Sequence, residues 1–384
     1  MTMTYPVVII GGGLAGLVSS IELARLGIKT LLIERKAYPH HKVCGEYVSN
    51  EVRPYLENLG LNLDSLGAAH IANFRFTSPK GSILDTSLDM GGFGISRYTL
   101  DNALYELSLE SGVDFQLNTI VQDVKWADDH FDIETSDSVQ IEAEIVIGAF
   151  GKRTRLDKQM NRDFMNKESP YVGVKYHIKG NFAKDLISLH NFRNGYCGMS
   201  AIEDDKYCLC YLTERSNLKE SGSIPDMERH ILSRNPHLKH IFDSAEFLYD
   251  KPEVINEVSF ASKNAVENHI LMAGDSAGLI TPLCGNGMAM AIRAGSMVAR
   301  ETTRYFLEHR SRKLLETTYQ HAWQKEFALR LKIGRTVQNL FGREVLSEMA
   351  LGFFKITPPI LRMVIKGTHG EVFTTGSGRQ AMKE

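Results

Sequence analysis

Short apolar runs and stretches of helical period alternate along the first third of the chain. Residues 7–10 are wholly apolar and suit a strand buried on both faces. After a glycine cluster, Leu14, Leu17, Val18, Ile21 and Ala24 recur as one helical stripe, which Gly27 closes before a second apolar strand at 30–33. Residues 73–77 and 82–86 read as a hairpin about Pro79-Lys80-Gly81, and 99–110 as a helix carrying Leu100, Ala103, Leu104 and Leu107 on one face. A strand pair at 120–126 and 130–135 precedes a buried strand at 144–147. Beyond residue 166 the pattern changes to alternating strands, such as 171–178 and 207–212, with a helical piece near 226–232. A buried strand returns at 270–273, a long helix begins at Met288, and the chain from about Lys313 is mostly helical.

The first βαβ unit carries the most specific chemistry. Residues 7–10 run into Gly11-Gly12-Gly13-Leu14-Ala15-Gly16 and then the helix, and the second strand ends at Glu34, 18 residues after Gly16. Gly11 permits the tight turn, Gly13 lets backbone approach a pyrophosphate, and Gly16 allows helix and strand to pack closely. The helix N-terminus offers unpaired N–H groups to the phosphates, and a carboxylate at Glu34 can accept hydrogen bonds from a ribose diol. With strand, turn, helix, strand and acid in this order, the unit reads as dinucleotide-binding.

Composition narrows the class. The 384 residues suffice for two domains, and 44 basic against 46 acidic residues give a charge of −2, which argues against nucleic acid as a partner. No apolar run approaches a membrane span, and residues 1–6 lack the pattern of a signal peptide, so a cytoplasmic enzyme is expected. The five cysteines, Cys44, Cys197, Cys208, Cys210 and Cys284, are scattered and expected to be reduced. Cys208 and Cys210 fit one face of a strand better than a metal site, and no metal is expected. His40 and His41 fall in a turn-like segment.

Three separated segments then resemble one family. The glycine cluster with Glu34, Ser96-Arg97 before a helix, and Gly274-Asp275-Ser276-Ala277-Gly278 with Pro282 and Gly285-Asn286-Gly287-Met288 are similar to the FAD-binding motifs of the p-hydroxybenzoate hydroxylase superfamily. That superfamily includes aromatic hydroxylases, flavin halogenases and geranylgeranyl reductases. Lys42-Val43-Cys44-Gly45-Glu46 resembles the Cys-Gly-Glu segment of the geranylgeranyl reductase branch. The resemblance implies an α/β fold with a Rossmann-like FAD-binding domain, a mixed-sheet substrate domain and a C-terminal helical region. FAD binding would occupy 1–72, 96–165 and 263–312, the substrate domain 166–262 with an excursion at 73–95, and the helical region 313–384. It implies FAD contacts from Gly11, Gly13, Leu14, Ala15, Gly16, Glu34, Arg35, Cys44, Gly45, Arg97, Gly274, Asp275, Pro282, Gly285, Asn286, Gly287 and Met288.

The sequence departs from the family's branches in three places. Phe150, in Ala149-Phe150-Gly151, stands where hydroxylases usually have Asp. Trp126 and Trp323 are the only tryptophans, so the tryptophan-rich halogenase motif is absent, and Gly195-Tyr196-Cys197-Gly198-Met199-Ser200 replaces the aromatic-proline motif of geranylgeranyl reductases. The expectation is an FAD-dependent oxidoreductase, foremost a monooxygenase using O2 on a hydrophobic aromatic or polyketide-like molecule, with NAD(P)H as a transient reductant. A reductase of isoprenoid C=C bonds is the second reading, and a non-enzymatic carrier the third. Cys44 and Glu46 are the catalytic candidates. Cys44 could equally be a small apolar filler, Glu46 a salt-bridge partner and Arg97 a surface cation. The apolar stretch 340–365, broken by Pro358-Pro359, suits a helical layer on the substrate domain, a lid, or a helix skimming a membrane.

Overall fold

A computed structural model describes residues 2–166, 169–258, 260–279, 285–340 and 344–374. Two sheets organise it. In the first, Ile270–Met272, Gln140–Gly148, Met3–Ile10, Thr30–Glu34 and Asp114–Leu117 lie side by side and parallel, in that order. Val7 pairs with Thr30 on one side and Ile145 on the other, so the central strand is covered on both edges and Val7, Val8 and Ile9 are fully buried. The hairpin Val121–Ala127 and His130–Thr135 joins antiparallel to Gln140–Gly148. The helices Leu14–Arg25 and Gly287–Leu307 pack against each other in the same core, where Gly295 admits the backbone of Ala15. Tyr38-Pro39 is a cis peptide.

The second sheet is mixed and larger. Tyr171–Lys179, Tyr207–Glu214, Gly195–Ala201 and Leu186–Phe192 run antiparallel, Leu186–Phe192 continues parallel to Ala69–Thr77, and the long strand Ile83–Gly94 follows. The excursion hairpin is longer than its alternation suggests, because it extends as far as Gly94 through a register shift between Ile71 and Asn73. Its far end pairs with Tyr47–Ser49, Tyr47 opposite Gly94. The Cys44-Gly45-Glu46 loop therefore leads directly into the second sheet.

Of three C-terminal helices, Arg312–Leu340 packs on Gly287–Leu307 in the first core, while Glu344–Ile356 and Pro358–Thr368 cover the second sheet through Leu351 and Leu361. Buried Glu51 anchors them: it accepts from Arg330 Nη1 at 3.1 Å, from Asn286 Nδ2 at 3.2 Å and from the Gly370 N–H, while its own carbonyl accepts from Phe373 N at 3.1 Å. No helix among the described residues is long and apolar enough to cross a membrane.

Candidate active site

The glycine turn is built to tolerances that only glycine meets. Gly11 has φ +105°, and a Cβ there would lie 2.4 Å from the Ala149 carbonyl oxygen; one at Gly16 would lie 2.0 Å from the Gly11 oxygen. These two residues pack turn, strand and helix together. Gly13, by contrast, faces open space, with Arg97 Nη2 at 3.8 Å from its Cβ position. As N-cap of the Leu14–Arg25 helix it carries no side-chain cap, so the first-turn N–H groups have no side-chain acceptor from the cap. Glu34 closes the turn from the second strand: its Oε2 accepts from Gly12 N at 2.7 Å and its Oε1 from Lys36 N at 3.2 Å.

Electrostatics at the turn favour an anion. Arg97 grips Asp101 with Nε–Oδ1 of 2.6 Å and Nη2–Oδ2 of 2.8 Å, and Lys42 Nζ donates to the same carboxylate at 2.9 Å and to the Gly12 carbonyl at 3.2 Å. Burial alone would raise the Asp101 pKa, but Arg97 and Lys42 outweigh it and hold the carboxyl below its ordinary range. Arg97 and Lys42 stand beside Gly13 and the helix N-terminus, balanced by the carboxylates of Asp101 and Glu34. These two cations, the unpaired N–H groups of the helix and the open face of Gly13 fit a pyrophosphate. Tyr38 steadies the arrangement by donating to the Gly12 carbonyl at 2.6 Å, and its ring stacks on Tyr105 at 4.4 Å.

The turn opens into a cavity of about 1160 Å³. Gly11, Gly13, Leu14, Ala15, Glu34, Arg35 and Arg97 line one part, with Phe150, Gly274 and Asp275; Gly285, Gly287 and Met288 also border it, as do Cys44, Gly45 and Glu46. Gly274 at φ +62° and Gly285 at φ +64° adopt the left-handed backbone. Asn286 does not line the cavity; its amide donates to Glu51 and to the Thr368 carbonyl. Pro282 and Cys284 lie outside the described residues. The cavity exceeds what a single small ligand needs and has room for a dinucleotide and a second molecule.

The second part is apolar. Alternate residues of adjacent strands face it: Phe74 and Phe76, Ile187 and Leu189, Tyr196, Gly198 and Ser200, and Leu212. Phe354, Leu361, Val364 and Ile365 from the C-terminal helices also line it. Ser200 is buried, and its hydroxyl has no hydrogen-bond partner among the described residues. A polar atom left so is expected to meet a ligand or water.

Beneath the Cys-Gly-Glu loop lies a buried ionic cluster. Glu46, fully buried at φ +54°, accepts from Lys175 Nζ at 2.5 Å, from the Arg97 N–H at 2.9 Å, and pairs with His177 Nε2 at 2.6 Å. His177 Nδ1 meets the Tyr249 hydroxyl at 2.7 Å, which in turn lies 3.2 Å from His41 Nδ1. Burial pushes the Glu46 pKa up, but the His177 hydrogen bond and the Lys175 charge outweigh it, so the carboxyl stays below its ordinary range. Cys208 Sγ donates to the Cys44 carbonyl at 3.2 Å. Glu46, His177 and Cys208 lie close enough to suggest a metal, yet the Lys175 ammonium already supplies the positive charge there. Cys44 is half-buried, whereas Cys210, also on the cavity wall, has its thiol pushed up to about 12 by burial and the neighbouring Cys44.

Lys42, Asp101, Lys175 and His177 carry these interactions, Ser200 lines the apolar part, and sequence pattern alone marks none of the five as a site residue. The partners of the first four lie as much as 133 residues away, Lys175 Nζ also donating to the Lys42 carbonyl at 3.1 Å, and only the alternation of the 171–178 strand hints at a second face.

Comparison with known proteins agrees with the geometry. A family described as FAD binding domain matches residues 4–326. Conditioned medium factor receptor 1 of Dictyostelium discoideum is 23% identical over 87% of this chain and 70% of its own length; digeranylgeranylglycerophospholipid reductase 1 of Methanopyrus kandleri is 24% identical over 90% and 93%. Among solved structures, the flavin-dependent brominase Bmp2 superposes with a TM-score of 0.79 at 18% identity, covering 99% of this chain and 98% of its own. The flavin-dependent halogenase CmlS superposes at 0.75 and 21% identity over 87% of this chain, which spans 64% of that halogenase. The chain belongs to the FAD-binding-domain family of oxidoreductases, in the superfamily its motifs resemble, and FAD is its cofactor.

Proposed function

We propose that this protein is a flavin monooxygenase that hydroxylates an elongated hydrophobic small molecule. One observation carries the reading: the glycine-lined part of the cavity continues into an apolar chamber whose walls, apart from hydroxyls such as those of Tyr196 and Ser200, are almost wholly aliphatic and aromatic. Phe74, Phe76, Ile187, Leu189 and Leu212 exclude water from the reacting region, which suits oxygen chemistry that water would short-circuit. The Ser200 hydroxyl is placed to hold a polar end of the substrate. FAD, when bound, supplies redox chemistry with O2. Substrate R–H, O2, NAD(P)H and a proton would give R–OH, water and NAD(P)+. With a single nucleotide fingerprint in the chain, NAD(P)H would bind transiently at the rim.

In this reading Glu46 is a positioning residue, because each carboxylate oxygen already has protein partners. Gly13 and the helix behind it, with Arg97 and Lys42, would hold the pyrophosphate, and Glu34 the ribose. The Gly274-Asp275 turn and the Gly285 to Met288 segment would border the flavin.

A second reading rests on Cys44, a half-buried thiol on the cavity wall in the loop that resembles the geranylgeranyl reductase branch. There the protein would saturate C=C bonds of an isoprenoid. The deciding experiment supplies the purified holoprotein with NADPH and a panel of alkyl phenols, polyenes and prenyl lipids. Substrate-dependent oxygen uptake with incorporation of labelled oxygen supports hydroxylation. Turnover under argon with dithionite, abolished in Cys44→Ser, overturns it in favour of reduction.

A further inference from the structure

The outer face of the C-terminal helices is apolar where it should be polar. Met349, Phe353 and Ile356 recur at i, i+4 and i+7 on Glu344–Ile356 and are 66%, 46% and 80% exposed; Met363 on Pro358–Thr368 is 66% exposed, and Leu329 on the neighbouring helix also 66%. The inner faces of the same helices are also apolar, since Phe354, Leu361 and Val364 line the cavity. A surface helix that buries one apolar face normally turns a polar one outward. These two do not.

Charge singles out the occupant. Lys355, Arg362 and Lys366 are exposed, and none forms an ion pair within the described residues. From Met349 to Thr368 there is no Asp or Glu, so this segment carries three positive charges in a chain whose net charge is −2. Leu329 and Lys332, both exposed, also border the cavity, so the ridge is continuous with its wall.

We propose that this ridge docks on an anionic lipid surface, with Met349, Phe353, Ile356 and Met363 entering the headgroup boundary and Lys355, Arg362 and Lys366 meeting lipid phosphates, so that a hydrophobic substrate passes from the lipid into the chamber. A second copy of this chain is a poorer fit, because two-fold self-docking would press both sets of three cations together. Residues 375–384, Thr-Gly-Ser-Gly-Arg-Gln-Ala-Met-Lys-Glu, offer one large apolar side chain, Met382, too little to cover the ridge. An amphipathic surface with interspersed cations is the pattern of an interfacial helix. The inference concerns where substrate enters and holds for either reaction considered above.

The test is flotation of the FAD-loaded protein with vesicles of phosphatidylcholine alone or mixed with phosphatidylglycerol, and needs no turnover. Wild type should float with the mixed vesicles and much less with phosphatidylcholine alone. Ile356→Glu/Met363→Glu should remain at the bottom while keeping its flavin absorbance and melting temperature, both sites being exposed. Each cation changed to Ala should weaken binding roughly fivefold, an effect that salt removes. The proposal is overturned if wild type ignores the mixed vesicles, or if the double variant floats as well as wild type. It is also overturned if the double variant's only effect is to turn a dimer into a monomer, which would make the ridge a contact between copies. Because flotation is independent of turnover, failure here leaves the assignment of the reaction untouched.

Discussion

Glu46 Oε2 lies 2.6 Å from His177 Nε2, joining the loop that borders the cavity to the Tyr171–Lys179 strand of the second sheet. Its other oxygen takes Lys175 Nζ, whose side chain is fully buried. The two parts of the molecule are thus clamped by a buried ion pair at the edge of the candidate site. Such a pair adds little relative to an apolar isostere, but breaking one side leaves an uncompensated charge.

Glu46→Gln should therefore destabilise the fold by about 3–5 kcal/mol, because Lys175 is left buried without its counter-charge. Denaturant unfolding of the purified protein reads this directly. Glu46→Gln/Lys175→Met should recover much of the loss. If the double variant is no better than the single one, the pair is not the clamp.

Arg97 and Lys42 share Asp101 beside Gly13, and the cofactor should feel their positive charge. Arg97→Ala should weaken FAD binding by about 10- to 100-fold, as loss of a charged hydrogen bond predicts, and Lys42→Ala by less. Titration of apoprotein with FAD, followed by flavin fluorescence, measures both. The Arg97 effect should shrink in high salt if its contribution is mainly coulombic.

Gly11, Gly13, Gly16 and Glu34 could be read from sequence because their relationships are local: one turn, one helix and one strand end encode them. The same holds for the buried parallel strands, whose unbroken apolar runs have no other good explanation. Lys175 and His177 could not be read this way. They alternate with Val174, Tyr176 and Ile178 as solvent-facing residues would, and only the distant Glu46 explains their burial. The strands Leu186–Phe192 and Gly195–Ala201 turn through Arg193-Asn194, with Asn194 at φ +57°, and arginine is not a residue that marks such a turn in a sequence. Tyr47–Ser49 is three residues long and is fixed only by its pairing with the far end of the Ile83–Gly94 strand.

His190 should make the second sheet acid-labile. It is fully buried, its Nδ1 lies 2.9 Å from Thr77 Oγ1, and burial, helped by the charges of His237 and Arg75, lowers its pKa to about 3. In the unfolded chain the ring takes up a proton near pH 6.5. Between pH 6.5 and about 3 the unfolded state thus binds more protons, and stability contributed by the neutral ring is lost as pH falls through that window. Melting temperature against pH should fall more steeply for wild type than for His190→Asn, whose amide can keep the Thr77 contact without titrating.

Lys263 sets the opposite end of the pH range. Its Nζ donates to the carbonyls of Lys152 at 2.7 Å and Asp275 at 2.8 Å and sits 4.2 Å from the centre of the Phe164 ring. Burial lowers its pKa to about 8, with Asp157 and Asp275 opposing the shift only in part. The unfolded lysine titrates near 10.5, so between pH 8 and 10.5 the unfolded chain holds more protons than the folded one. Stability must then rise with pH across that window as the folded ammonium gives up its proton, by a few kcal/mol at most, since each pKa unit is worth about 1.4 kcal/mol. Other lysines and tyrosines titrate there too, so the informative quantity is the difference between wild type and Lys263→Met in unfolding free energy at about pH 8 and about pH 10.5, the two edges of the window. Lys263→Met should be the more stable protein at the lower pH and lose that advantage at the higher one. An advantage that does not change with pH would mean the buried ammonium is stabilised by contacts that leave its titration unshifted.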